Sequence, residues 1–154
     1  MRKKIDRILG GVLAFLMGTM TLDVLWQVMS RYLLKAPSSF TDELARFLLV
    51  WIGVLGAAYV AGQDRHLAID LLPSRLSGRR KKRLLVLIAA LIVVFAVAVM
   101  VVGGSRLVYV TLYLGQKSSA LQLPLGYVYL IVPISGLLVV YYKLDSIAKM
   151  LKND

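Results

Sequence analysis

The sequence predicts an all-α integral membrane protein: four transmembrane helices, both chain ends in the cytoplasm, and a short amphipathic helix in the interface between the second and third spans. Three observations carry this prediction. The first is composition. Of 154 residues, 59% are hydrophobic and the mean hydropathy is +0.76, whereas a soluble domain holds roughly 45–50% apolar residues even with glycine counted. The second is a set of long runs with little or no charge: Ile8 to Ser30, interrupted only by Asp23, then Phe47 to Gln63, Leu84 to Ser105 and Leu123 to Tyr142. With their flanks, each reaches or approaches the roughly 20 residues that a spanning helix needs. The third is charge placement. Of the 19 Lys and Arg, only Arg31, Lys35, Arg46, Arg106 and Lys117 fall on one side of the alternation. The side rich in Lys and Arg is cytoplasmic by the positive-inside rule. The whole chain, 1–154, is then one membrane domain with spans over about 8–32, 42–63, 79–105 and 123–143.

The first run follows Arg2, Lys3 and Lys4 like a signal peptide, but it is too long for a signal core. No small-x-small site precedes the polar turn at Lys35-Ala36-Pro37, so it reads as a retained helix. It carries Asp23 and Gln27 four residues apart on one face. An acid at that depth is costly and must face protein or water. The second helix opens with Thr41 or Asp42 as its cap and Glu43 near the positive end of its dipole. Arg46 then lies level with Gln27 and about one turn from Asp23, with Glu43 at i−3. The expectation is a buried cluster of Asp23, Gln27, Glu43 and Arg46 that fixes the first helix against the second. The alternative for Asp23 is a proton or cation relay, for which no second mid-depth acid is available.

Further along the second helix, Gly53, Ala57 and Ala61 recur every four residues, and Ala58 and Gly62 repeat that spacing one position over. In lipid, such a stripe lets another helix backbone approach closely. Trp26 suits an interfacial belt; Trp51 lies deeper and is expected between helices. Asp64-Arg65-His66 ends the apolar run. In L-A-I-D-L-L-P-S-R-L, residues Leu67, Leu71 and Leu72 share a face and Pro73 stops it, which predicts an interfacial helix over about 66–76. His66 is the only histidine. It excludes a bis-histidine haem within one chain and a histidine metal cluster, and is expected to cap the helix end.

The run Arg79-Arg80-Lys81-Lys82-Arg83 would read as nucleic-acid binding in another setting. Beside a span it reads as an anchor on anionic lipid, and no nucleic-acid partner is expected. A helix from Leu84 to Gln116 would be about 50 Å long against a hydrocarbon core of roughly 30 Å. It must tilt, protrude, or bend at Gly103-Gly104. Gln116 to Pro124 forms the second external connection, with Pro124 suited to the next helix's first turn. Pro133 and Gly136 point to a kink in the last span, and the tail from Lys143 reads as a short amphipathic extension.

Nothing assembles into a catalytic centre: there are no paired acids at working distance, no phosphate loop, no nucleophile beside a base and, with no cysteine, no thiol chemistry. No enzyme, cofactor or metal is expected.

Several stretches in order carry a resemblance. E-L-A-R-F-L-L-V-W-x4-G-A-A, from Glu43 to Ala58, then R-H-L-A-I-D-L-L from Arg65, resemble the small membrane subunit of TRAP (tripartite ATP-independent periplasmic) transporters, the DctQ-like family. Q-V-M-S-R-Y from Gln27, S-S-A-L-Q-L-P from Ser118 and Y-L-I-V-P from Tyr129 are similar to the same family. One departure is Ser118-Ser119 where the family pattern has Ser-Pro. The resemblance implies a three-part importer in a bacterial or archaeal cytoplasmic membrane. A soluble periplasmic substrate-binding protein captures an organic acid anion, a large multi-span subunit carries it inward on a sodium gradient, and the small subunit braces the large one. Motif positions Glu43, Arg46, Trp51, Gly56, Ala57, Ala58, His66 and Asp70 are then for helix packing and subunit contact. Topology makes the external segments with Lys35, Arg106 and Lys117 candidates for touching the binding protein. The competing readings are a self-sufficient four-helix proton-coupled exporter using Asp23, and a membrane-bound assembly factor.

Overall fold

The computed structural model describes residues 2–35, 38–63 and 79–152. His66, Asp70 and the expected interfacial helix lie outside the described residues. The described chain is helical, with four helices long and apolar enough to cross a membrane. These are α1 (Arg2–Tyr32), α2 (Ser39–Gly62), a third helix built from three consecutive pieces, and a fourth built from two. The third comprises α3 (Arg79–Phe95), a π-helical segment (Ala96–Gly103) and α4 (Gly104–Tyr113); the fourth comprises α5 (Leu125–Tyr129) and α6 (Ile131–Lys152).

Local chemistry explains where these helices start, break and stop. Ser38, in extended conformation at φ −89° and ψ 106°, is the N-cap of α2, and its hydroxyl accepts the Thr41 N–H at 3.5 Å. The cap therefore precedes Thr41 and Asp42, the residues expected to serve. Thr41 is buried inside the first turn, where its own hydroxyl donates to the Ser38 carbonyl at 3.0 Å. Gly103 and Gly104 keep right-handed helical dihedrals, near −61°, −45° and −62°, −43°. The third helix thus passes through them without stopping, and the change there is from π to α winding.

That helix ends at Gly115, whose φ of +61° is cheap only for glycine. Its N–H donates to Leu112 O and the next N–H, of Gln116, to Thr111 O, both at 3.0 Å, the pairing of a Schellman cap. The fourth helix breaks at Leu130. Pro133 has no N–H to give the Tyr129 carbonyl and its ring crowds that carbonyl, so helix resumes at Ile131 with the proline in its first turn. From there α6 runs to Lys152, so the expected tail helix is the end of α6 itself.

The helices stand in a row. α1 packs on α2, α2 on α6, and α6 on α3 and the π segment, so α2 and α6 occupy the middle. Between them and beyond, glycines permit the approach. A Cβ on Gly62 would sit 2.8 Å from the Tyr142 ring, and one on Gly136 would sit 2.7 Å from Met100 Cβ. Tyr142 and Ser135, on α6, are the largest side chains with no exposed surface. The small-residue rows of α2 divide accordingly. Ala58, Ala61 and Gly62 are buried, while Gly53 and Ala57 are exposed and a Cβ on Gly53 or Gly56 would meet nothing within 4 Å.

Gly136→Ala should destabilise the detergent-solubilised chain by about 1–3 kcal/mol, the usual cost of overpacking a close contact. Gly53→Ala should leave the same unfolding transition unchanged or slightly raised, since alanine is the better helix former. Denaturant titration followed by circular dichroism measures both.

Candidate functional site

Two polar assemblies close the two ends of the row. At the end holding the connections 33–38 and 114–124, the loop end, Glu43 faces the second connection. Its Oε1 accepts the Ser119 N–H at 3.0 Å, and its Oε2 accepts those of Ala120 and Leu121 at 2.8 and 2.7 Å. Three successive amides aimed at one point form an anion-binding concavity, and Glu43 fills it from a helix 76 to 78 residues away. The loop is also closed on itself. Ser118 N–H donates to Leu123 O at 2.9 Å, Leu123 N–H to Ser118 Oγ at 3.2 Å, and Gln122 Nε2 to Ser119 O at 3.0 Å. Gln122 adopts φ +55° to make that turn. About two turns further along α2, Trp51 Nε1 donates to Val128 O at 3.0 Å, beside the break before α6.

Next to this loop, Asp42 joins α1 to α2: its Oδ1 accepts from Gln27 Nε2 at 2.9 Å and its Oδ2 from Arg46 at 2.5 Å. The expected four-residue cluster is therefore corrected. Gln27 and Arg46 do meet an acid, but it is Asp42, because with α2 starting at Ser39 the i, i+4 pair Asp42–Arg46 lies on the α1 side. Glu43, rotated about 100° onward, points to the loop instead. The Asp42–Arg46 pair is largely exposed, the arginine side chain by 74%, which limits it to about 0–1 kcal/mol. Asp23 is buried, and its Oδ2 has no hydrogen-bond partner.

At the opposite end, where α1 begins and α6 finishes, Arg2 reaches Asp145 Oδ2 at 3.1 Å and also the Gly62 carbonyl, with its guanidinium 5.8 Å from the Tyr142 ring centre. Tyr142 O–H donates to Asp6 Oδ1 at 2.6 Å, and Lys149 pairs with Asp145 at 2.5 Å. This assembly ties α1, α2 and α6 together. It escaped the sequence reading because Arg2 looked like one more positive-inside charge; the i, i+4 spacing of Asp145 and Lys149 was its one visible trace.

Among the described residues no group of three or more His, Cys, Asp or Glu could hold a metal ion. Open features include a cavity of about 550 Å³ beside Gln27, Arg31 and Asp42, an apolar groove of about 280 Å³ lined by Leu16, Phe47, Trp51 and Tyr127, and the exposed stripe of α2 at Leu49, Gly53, Ala57 and Val60.

Comparison with known proteins decides the family. The family model for tripartite ATP-independent periplasmic transporters, DctQ component, matches residues 20–153. The chain belongs to the DctQ family. It is also similar to the sialic acid TRAP transporter small permease protein SiaQ of Vibrio cholerae, with 26% identity over 99% of this chain and 86% of that protein. A putative TRAP transporter small permease protein of Haemophilus influenzae is 28% identical over 40% of the chain and 38% of its own length. With its four apolar helices, this DctQ protein is a TRAP small permease subunit and a multi-pass inner membrane protein, a transporter component rather than a member of an enzyme class.

A buried carboxyl lacking a partner costs about 1–3 kcal/mol. Asp23→Leu should therefore stabilise the isolated subunit by up to about that much, and Asp23→Asn should leave it no weaker. Unfolding of the purified chain tests this; a large loss of stability in both variants would show that Asp23 is held by a contact it cannot do without.

Proposed function

We propose that this subunit is the stationary brace of an importer that carries organic acid anions on a sodium gradient. Its partners are a large multi-span subunit, gripped through the open face of α2, and a soluble periplasmic binding protein, met at the loop end. The observation that carries this reading is the division of α2. One of its faces is consumed inside the chain, while Leu49, Gly53, Gly56, Ala57 and Val60 form a flat apolar strip with no cover over the glycines. In lipid, a strip that flat gains from a helix backbone laid against it. Trp51, also a motif position, holds the adjoining turn of α5 in place. His66 and Asp70 belong to the same subunit-contact set through the family resemblance.

In this reading the hydrocarbon-spanning parts are about 8–32, 42–63, 79–105 and 123–143, with both chain ends in the cytoplasm. Exposed Arg80, Lys81 and Arg83 meet anionic lipid there. The loop end is periplasmic. Its exposed cations Lys35, Arg106 and Lys117 stand beside two acids already engaged within the chain, so its free charge is positive and complements an acidic docking face.

Two measurements test it. Gly53→Leu or Ala57→Leu should abolish copurification with the large subunit while leaving the fold of the isolated chain intact. Reversing Lys35, Arg106 and Lys117 together should slow binding-protein association by about tenfold or more at low salt and much less at high salt. Transport by this chain reconstituted alone, or uptake indifferent to all these changes, would overturn the reading.

A further inference from the structure

The loop from Gln116 to Pro124 has little apolar material of its own. Ser118 is buried and Ala120 and Leu121 are half-buried, while Lys117, Ser119, Gln122 and Leu123 are exposed. Its shape therefore depends on hydrogen bonds. The internal ones, Ser118 to Leu123 in both directions, close its base and leave three amides at its tip with no acceptor in the loop. Glu43 provides that acceptor from the first turn of α2. Both carboxylate oxygens are used, so the orientation of the tip is fixed relative to α2, the helix whose outer face is the proposed seat of the large subunit.

We propose that Glu43 is the positioning residue of a preformed docking platform: by filling the amide concavity of Ser119, Ala120 and Leu121 it holds Lys117 and its neighbours in the conformation that an acidic face of the soluble binding protein recognises. This rests on the reading that the loop end meets that protein. Without the carboxylate the tip amides turn to water, the loop samples many shapes, and each binding event must reorder it. Lys117 itself is untouched, so what is lost is preorganisation and not charge.

The experiment uses the complex of both membrane subunits in nanodiscs with purified binding protein. A nitroxide label is placed on a cysteine introduced at Gln122, which is clean in a chain without cysteine. Glu43→Ala should mobilise the label and weaken binding by about tenfold, the scale of reordering several residues on association. Formate or acetate at millimolar concentration, entering the vacated concavity, should restore part of both signals, and Glu43→Gln, which keeps one acceptor oxygen, should fall between. Ser118→Ala removes the hydroxyl that accepts the Leu123 N–H and also bonds Glu43, so it loosens the same loop while keeping the carboxylate, and should weaken binding in the same direction if Glu43→Ala fails to assemble. An unchanged label spectrum in Glu43→Ala overturns the proposal. So does a mobilised loop with undiminished affinity, and Lys117→Glu then separates the causes. If Lys117→Glu weakens binding, only the role of Glu43 falls; if it does not, the contact reading beneath it falls too.

Discussion

In a hydrocarbon environment a backbone N–H or C=O without a partner costs several kcal/mol, and the places where helices end or break are where such groups appear. Three side chains in this protein answer that constraint. Glu43 takes the amides of Ser119, Ala120 and Leu121; Trp51 donates to the Val128 carbonyl at the break before α6; Arg2 donates to the Gly62 carbonyl at the end of α2. Trp51 and Arg2 reach from one spanning helix to a backbone group of another, while Glu43 reaches to the connection outside the spans, where water is the alternative partner. The contacts that satisfy the backbone therefore also tie α1 to α2 and α2 to the fourth helix, while α3 takes its place by packing on α6.

A row has consequences that a closed bundle does not. Both broad faces stay open to lipid or to other proteins, and the interior is thin, with Tyr142, Ser135, Ala58 and Ala96 as its fully covered points. Asp23, the one acid well within α1, is covered by protein, and its Oδ2 has no hydrogen-bond partner among the described residues. Under the proposed brace role, the open faces seat a larger partner and cargo passes through that partner.

The periodic features were legible from residues alone. Four apolar helices, their order and the break near Pro133 follow from run length and turn chemistry. What was misread is the direction in which particular side chains point. Neighbouring residues on a helix point about 100° apart, and no local pattern decides whether Asp42 or Glu43 faces α1, so the place expected for Glu43 beside Gln27 and Arg46 is held by Asp42. The assembly of Arg2, Asp6, Tyr142 and Asp145 was invisible for a different reason. It joins residues more than 130 positions apart, and no local pattern encodes which end of a first helix will meet which end of a fourth.

The division of α2 shows why the small residues could not be sorted by sequence. Gly53 and Gly62 look equivalent in a row of small side chains, yet Gly62 lies against an aromatic ring and Gly53 against nothing in this chain. Burial inside the subunit explains Gly62 completely. Gly53, Gly56 and Ala57 need a reason from outside, because a leucine at any of them would fit the isolated molecule and add apolar surface that lipid would accept. Under the proposed brace role that room seats a helix of the larger partner, about three turns along α2 from Glu43 and beside Trp51.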